Sequence, residues 1–351
     1  MGERFPFLED IQLQPEALQK VLQGYDHQLL QDLRSRLMKG NFDRIILTGM
    51  GASTFGTYPA WLQLLKGRVP AFWMDTSELL TYASDLVTPK SLLWVVSNSG
   101  KSIEITRLLA QKGRLGNPYL LANTNFPDSP LATQADLYMP IYSGDDFTLS
   151  TRSYVGTLAT TQLMALQLAG KLIDREMEDL QITLQGLQEF TQKLEEHLQL
   201  LDSLIGKVNR LVIIGRGLSY ATAMEAALCF KEGPKINAEG MSTGQFWHGP
   251  VELADENYTV LSLAGEAMTK TEDFRLSLKA QSLGAKVFWL ADTPEKEIPS
   301  IVLPKYRGIG LPIAEIVPIQ LISINIGKQT GFRPGDFRYL GTVVTTKKEM
   351  F

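Results

Sequence analysis

The first half of the chain alternates short, continuous apolar runs with longer stretches in which apolar residues recur at helical spacing. A continuous apolar run of strand length is typical of a strand that is buried on both faces of a parallel sheet. Strands that alternate with helices predict parallel βαβ units, for which we expect the strand order 2-1-3-4-5. The predicted strands are 44–48, 71–74, 91–96, 118–122 and 137–140.

The opening pattern returns in the second half. Residues 210–220 align without a gap with residues 44–54, and both stretches run from an apolar strand through Gly-x-Gly-x-Ser into a helix. We interpret this as a duplication, with further strands at 259–263 and 286–291. The predicted organisation is an N-terminal helical segment at 1–40, a first subdomain at 41–173, a helical linker at 174–207, a second subdomain at 208–330 and a C-terminal tail at 331–351.

A hydroxyl-rich turn, Ser-Asn-Ser-Gly-Lys-Ser at 97–102, joins the third predicted strand to a helix. We expect the turn to direct several backbone N–H groups at one point, where the hydroxyls of Ser97, Ser99 and Ser102 add hydrogen-bond donors and the helix N-terminus adds about half a positive charge. Such a turn suits a phosphate monoester. The alternative is an ordinary helix cap, but a cap requires only one such residue.

The loop at 49–54 ends the first predicted strand, which neighbours the third in the expected sheet. Ligands of such sheets bind beyond the carboxyl ends of the strands, so we expect one ligand to contact both loops. Gly-x-Gly after a first strand also suggests a dinucleotide site, and Asp75 supports that hypothesis because it ends the second strand. However, Thr54 replaces the third glycine of that motif, so we favour phosphate binding.

Two residues between 225 and 250 are candidates for acid–base chemistry. Glu232 precedes the helix breakers Gly233-Pro234, and a carboxylate at a buried helix C-terminus should have a raised pKa, which suits proton transfer. The alternative for Glu232 is a solvated helix end. His248 lies in a loop flanked by glycine and proline beside aromatic residues, although a lone histidine is more often structural than catalytic.

Composition narrows the classes of function. Lys and Arg number 34 and Asp and Glu number 38, without a basic block, so we expect no nucleic-acid partner. We expect no secretory signal and no apolar run of membrane-spanning length, hence a soluble cytoplasmic protein without membrane contact. One cysteine and three histidines predict neither an internal disulfide nor a metal site.

The segments Lys231-Glu232, Ala238-Glu239, Gly244-Gln245 and His248-Gly249-Pro250 together resemble the isomerase half of glucosamine-6-phosphate synthase and its relatives, the sugar isomerase (SIS) domain family. The resemblance covers nearly the whole chain. It implies an α/β fold of two tandem flavodoxin-like SIS subdomains, each with a parallel five-stranded sheet between helical layers. It also implies a homodimer with shared active sites and no cofactor.

The resemblance assigns roles residue by residue. It implies that the sugar phosphate is held by Ser53, Ser97, Asn98, Ser99 and Ser102. Glu232 would move a proton between C1 and C2 of the sugar, and His248, supplied by the neighbouring subunit, would assist ring opening.

Departures from the family pattern narrow the expected activity. The glutaminase domain with its terminal cysteine is missing from the sequence, so we expect no glutamine hydrolysis by that route. The family's imine-forming tail lysine aligns with Thr342, while Lys347 and Lys348 are out of register, and a second family lysine aligns with Cys229. Covalent tethering of the sugar is therefore not expected.

The remaining groups predict an enzyme that acts on an amino-sugar or ketosamine phosphate as a deaminase or deglycase. An aldose–ketose phosphate isomerase, which uses the same proton transfer, is the close alternative. A non-catalytic phosphosugar-binding regulatory module is the alternative from a different class.

Overall fold

The computed structural model describes residues 5–339, 341 and 343–345, which form two compact units. Of the described residues, the N-terminal unit comprises 16–146, 152–177, 337–339, 341 and 343–345, and the C-terminal unit comprises 5–15, 147–151 and 178–336. Each unit thus includes short segments that are distant from its main part in sequence. The subdomain boundaries given above stay predictions.

The sheet of the N-terminal unit confirms the predicted order. Its described strands are β1 (Arg44–Gly49), β2 (Ala71–Asp75), β3 (Ser91–Val96), β4 (Tyr119–Thr124) and β5 (Leu137–Pro140). They pair in parallel in the order β2-β1-β3-β4-β5. All six residues of β3 are buried, as its continuous apolar sequence predicts for a strand covered on both faces.

The helices of the described chain as far as residue 168 are α1 (Pro6–Gln12), α2 (Gln14–Gly24), α3 (Gln31–Met38), α4 (Ala52–Lys66), α5 (Thr76–Thr81), α6 (Ile103–Gln111), α7 (Pro130–Thr133) and α8 (Arg152–Leu168). Of these, α1 belongs to the C-terminal unit and the others lie mainly in the N-terminal unit. Helices α4 and α8 pack on each other. Helix α6 buries Ile105 and Leu108 in a core with Ile46, Val95 and Leu120 of the sheet.

The sheet of the C-terminal unit has the same order of strands. Its described strands are β6 (Arg210–Gly215), β7 (Ala238–Ser242), β8 (Tyr258–Leu263), β9 (Lys286–Ala291) and β10 (Ser300–Val302). The order β10-β9-β8-β6-β7 places the first strand of the unit between the second and third, as in the other sheet. Sequence analysis missed β7, whose Ala-Glu-Gly-Met-Ser sequence lacks an apolar run, and the three-residue β10.

The helices that follow residue 168 of the described chain are α9 (Asp174–Thr191), α10 (Leu194–Ile205), α11 (Ser219–Glu232), α12 (Thr243–Trp247), α13 (Ala267–Ser282) and α14 (Leu311–Thr330). Helices α9 and α10 lie in the stretch that lacked strand signals. Helix α14 packs against α10 and α11 in the C-terminal unit.

Helix α14 corrects one prediction. Sequence analysis expected no apolar run of membrane-spanning length, but residues 308–330 form a 23-residue stretch whose most apolar 18-residue window has a mean hydropathy of 1.7, which meets this criterion. The expectation was wrong because the run contains Glu315 and Gln320, which interrupt it in sequence. The apolar window is completely buried within the protein, as in the core helix of a soluble fold.

Candidate functional site

The turn between β3 and α6 folds as the sequence predicted, since β3 ends at Val96 and α6 begins at Ile103. The Ser97 hydroxyl oxygen accepts a hydrogen bond from the Gly100 N–H at 3.1 Å, and that of Ser99 accepts one from the Lys101 N–H at 3.4 Å. These two backbone donors are therefore used within the turn, contrary to our expectation that such N–H groups face the ligand. Since each hydroxyl oxygen already accepts a bond, its hydrogen remains available as a donor to an anion.

Asn98 fastens the turn to the end of β4. Its Oδ1 accepts from Asn125 Nδ2 at 2.5 Å, and its carbonyl oxygen accepts from the Thr124 hydroxyl at 2.9 Å. Gly100 has a φ of +63° and lies so close to Ser129 that a Cβ at this position would overlap the serine side chain. The turn is thus held in place by contacts with residues 124–129, and part of them are the hydrogen bonds of Asn98.

The N-terminus of α6 argues against the simple capping alternative. Ser102 is the N-cap residue, but its hydroxyl makes no capping hydrogen bond to the helix. The Ile103 N–H donates instead to the carbonyl oxygen of Val344 at 3.1 Å, which places this part of the tail beside the turn. The Ser102 hydroxyl is therefore not committed to the role that an ordinary cap would give it.

Ser53 lies in the first turn of α4, on the loop that follows β1. Strands β1 and β3 are neighbours, paired with Thr48 opposite Val95, so their following loops lie at the same edge of the sheet. A Cβ on Gly49 would lie 2.6 Å from the Val96 carbonyl oxygen, which shows how closely the two loops approach. The structure thus brings Ser53 to the same edge as the 97–102 turn.

In the C-terminal unit, residues 215–220 form the loop that aligns with residues 49–54. Two carboxylates of the protein itself bind to groups of this loop. Glu266 Oε2 accepts from the Leu218 N–H at 3.3 Å and lies against Gly217, where a Cβ would collide with it. The hydroxyl of Ser219, which aligns with Ser53, donates to Glu315 at 2.6 Å. Anion-binding groups at the start of α11 are therefore already engaged within the chain.

Glu315 was missed by sequence analysis. It is fully buried in α14 and also accepts from the Thr222 hydroxyl at 2.7 Å. Burial raises the pKa of Glu315 to about 7, which the two hydroxyl donors oppose. The available signal was a lone carboxylate inside a long apolar helix, since such a residue is rarely buried without partners.

Glu232 is the last residue of α11, as the Gly233-Pro234 breakers predicted. It is half-buried, and this burial raises the pKa of its carboxyl group, while the positive charge of Lys235 opposes the rise. The direction agrees with the expectation from its place at a helix C-terminus. A carboxylate in this environment is a stronger base than one in water.

His248 follows α12 in the same unit as Glu232 and is exposed. Its backbone N–H donates to the Gln245 carbonyl oxygen at 3.0 Å, which ends the helix. Strand β7 and helix α12 separate it from Glu232 in sequence. The structure thus places both predicted proton-transfer residues in the C-terminal unit and the predicted phosphate-binding residues in the N-terminal unit.

Of the positions discussed in connection with the family lysines, the structure describes Cys229 but not those in the tail. Cys229 is buried in α11, and this burial raises the pKa of its thiol. Thr342, Lys347 and Lys348 lie outside the described residues.

The residues that would hold a dinucleotide or a metal ion have other roles or are not grouped in the described chain. The Asp75 carboxylate, the residue that supported a dinucleotide site, caps α5 by accepting from the Glu78 N–H at 2.9 Å and the Ser77 hydroxyl at 2.6 Å. Within residues 5–339, 341 and 343–345, no three His, Cys, Asp or Glu side chains are grouped so as to hold a metal ion.

A family model and a known protein both match most of the chain. A family model described as the SIS domain matches residues 40–167 and 204–301. The glutamine–fructose-6-phosphate aminotransferase (isomerizing) of Pyrococcus horikoshii is 28% identical over 351 residues, a match that covers 97% of this chain and 57% of that protein. The chain therefore spans little more than half the length of this relative.

Solved structures share the fold. The C-terminal domain of glucosamine-fructose-6-phosphate aminotransferase from Francisella tularensis superposes with a TM-score of 0.84 at 21% identity, covering 95% of this chain and 99% of that one. A tagatose-6-phosphate ketose/aldose isomerase from Escherichia coli gives 0.76 at 21% identity, covering 93% of both chains. A glucosamine-6-phosphate deaminase from Thermotoga maritima gives 0.71 at 19% identity, covering 97% and 99%.

At these identities the solved structures establish the fold alone, while the family model spans most of both α/β units. The chain belongs to the SIS domain family.

Proposed function

We propose that this protein is a phosphosugar-metabolising enzyme that acts on an amino-sugar or ketosamine phosphate as a deaminase or deglycase. The observation that carries the proposal is the Glu232 carboxylate, which a half-buried helix end keeps more basic than a solvated one. The hydroxyls of the 97–102 turn support the phosphate part of the ligand. The names of the relatives and structural neighbours support the same class of ligand.

The proposed chemistry is a proton transfer followed by hydrolysis. Glu232 removes the proton from C2 of the open-chain amino aldose phosphate and returns it to C1, so that the C2 amine becomes an imine. Water then adds to the imine carbon and ammonia leaves, which yields the ketose phosphate without any change in overall oxidation state. With a ketosamine phosphate, Glu232 moves the proton from C1 to C2, so that the C1 amine becomes an imine. Water then adds to C1 and the substituted amine leaves, which yields the aldose phosphate.

The remaining residues have proposed roles in binding. Ser53, Ser97, Asn98, Ser99 and Ser102 hold or position the phosphate, and His248 of a second subunit assists ring opening. We propose a cytoplasmic homodimer as the working form. The aldose–ketose isomerase is kept as a second candidate because it needs the same proton transfer and because an isomerase is among the structural neighbours.

A panel of hexose 6-phosphates, with and without amine substituents, tests the proposal. We expect ammonia or amine release from an aminated member, and Glu232→Gln should lower turnover by at least about a hundredfold while sugar-phosphate binding is nearly retained, since general-base groups contribute roughly 10²–10⁴-fold. Interconversion of aldose and ketose without amine release would indicate the isomerase. Ligand-induced thermal stabilisation without any product would indicate a binding module, and unchanged activity of Glu232→Gln would remove Glu232 from the mechanism.

A further inference from the structure

Lys235 lies on the short loop that follows Glu232 and reaches back to the end of α11. Its Nζ donates a hydrogen bond to the backbone carbonyl oxygen of Glu232. A lysine near a helix C-terminus compensates the partial negative charge of the unpaired carbonyl groups. The side chain thereby brings a positive charge to the end of the helix that carries the Glu232 carboxylate.

The loop fixes Lys235 in an unusual backbone conformation. Lys235 has a φ of +59°, a left-handed conformation that residues with a Cβ adopt rarely and at a cost of about 1 kcal/mol or more. The loop is anchored on both sides, because the Ile236 N–H donates to the Phe230 carbonyl at 3.2 Å and the Thr330 hydroxyl donates to the Pro234 carbonyl at 2.8 Å. The strain is thus retained by the surrounding structure.

Two effects favour the protonated form of the Glu232 carboxyl group, namely its partial burial and its place at the negative end of a helix dipole. Lys235, on the loop that follows α11, carries the positive charge that lowers the pKa of Glu232 against the effect of burial. Cys229, one turn earlier on α11, is itself affected by Glu232, whose charge raises the pKa of the thiol. The ammonium group of Lys235 offsets the cost of ionising Glu232, and a proton-transfer base must be ionised before it can act.

We propose that Lys235 is a positioning residue that holds the Glu232 carboxylate in its ionised form at the end of α11. This inference rests on the proposed function, because it assigns Lys235 a part in the proton transfer by Glu232. It goes beyond a helix-capping role, which would require the lysine only for the carbonyl contact and for stability.

The pH dependence of kcat/KM, measured on the aminated hexose 6-phosphate that the panel identifies, tests the proposal. Wild-type activity should fall as the pH drops through the pKa of Glu232. In Lys235→Met this acidic limb should move to higher pH, so that activity on the limb falls about tenfold for each pH unit of displacement while the plateau at alkaline pH is retained.

Matched variants separate charge from structure. Lys235→Arg should keep the wild-type profile, and Lys231→Met, which removes an exposed lysine next to Glu232, should leave it unchanged. Lys235→Gly relieves the left-handed strain while removing the charge, so its profile should match that of Lys235→Met even though its fold is no less stable. An equal loss at every pH, or a normal profile for Lys235→Gly, would overturn the proposal.

A second measurement does not depend on turnover. Because the folded pKa of Glu232 is raised above its ordinary value of 4.5, the associated stability is present at low pH and is lost as the pH rises through the folded pKa. Lys235→Met should increase this pH-dependent loss in the free energy of unfolding. In the Glu232→Gln background, proteins with Lys235 and with Lys235→Met should show the same pH dependence of stability. If no phosphosugar is turned over but this coupling is found, the proposed function fails while the Lys235–Glu232 interaction stands; absence of the coupling refutes the interaction itself.

Discussion

The hydroxyls of Ser97 and Ser99 accept backbone hydrogen bonds within the turn, so each keeps one O–H donor for a bound anion. The double variant Ser97→Ala/Ser99→Ala should weaken the binding of a sugar phosphate by roughly 10²-fold or more, because each hydrogen bond to a charged group contributes about 1.5–3 kcal/mol. The unphosphorylated sugar should lose much less affinity. Calorimetric titration of both ligands measures the two losses, and an equal loss would refute phosphate binding by the turn.

At the scale of single residues, sequence analysis was strongest where local chemistry decides the outcome. The end of α11 at Glu232 followed from the Gly233-Pro234 breakers, and the raised pKa followed from partial burial at a helix end. It failed for Glu315, whose hydroxyl partners on α11 are about ninety residues away in sequence. It also placed backbone N–H donors of the 97–102 turn toward a ligand, whereas two of them bond to the turn's own serines.

Among the elements, the strand pair β1–β3 decides how close the two ligand loops lie. Gly49 ends β1, and a Cβ at this position would lie 2.6 Å from the Val96 carbonyl oxygen and 3.3 Å from Ser53. Gly49→Ala should therefore force the loops apart and lower the free energy of unfolding by about 1–3 kcal/mol, as overpacking does elsewhere. Chemical denaturation measures this loss, and weaker phosphate binding should accompany it.

Gly113 provides the control for that variant within the same unit. A Cβ on Gly113 would meet no heavy atom within 4 Å, and its backbone does not adopt the left-handed conformation. Gly113→Ala should accordingly change stability by no more than about 0.5 kcal/mol. Equal behaviour of the two alanine variants would mean that the loops do not depend on the close approach at Gly49.

The pattern of elements was predictable to the extent that each element has its own apolar signal. The parallel order β2-β1-β3-β4-β5 followed from alternating strands and helices, because right-handed crossovers leave few other arrangements. Strand β7 was missed because Gly240 and polar neighbours break its apolar character, and it forms through pairing with β6. Tertiary pairing thus overrides the weak local preference of such a segment.

On the scale of the whole molecule, the duplicated pattern predicted that the chain contains two sheets of one topology, and both have the same strand order. Similarity of backbone does not extend to the binding groups. At the start of α11 Glu266 and Glu315 engage the Leu218 N–H and the Ser219 hydroxyl, whereas Ser53, which aligns with Ser219 at the start of α4, has no such bond to a carboxylate among the described residues. The family and its fold were therefore predictable from sequence, but the difference between the two loops depends on contacts between distant residues.

The proposed homodimer with shared sites can be tested by mixing two inactive variants. If His248 acts on the site of the partner subunit, Glu232→Gln and His248→Ala protomers complement each other, because one of the two sites in each heterodimer has both native residues. Random exchange makes about half of the dimers mixed, so the expected activity is about a quarter of the wild-type value. Each homodimer alone should be inactive in the same amine-release assay, and a mixture of separately folded, non-exchanged dimers serves as the control. If exchange is verified by mass-tagged subunits and activity stays at the level of the single variants, Glu232 and His248 do not combine across a subunit interface.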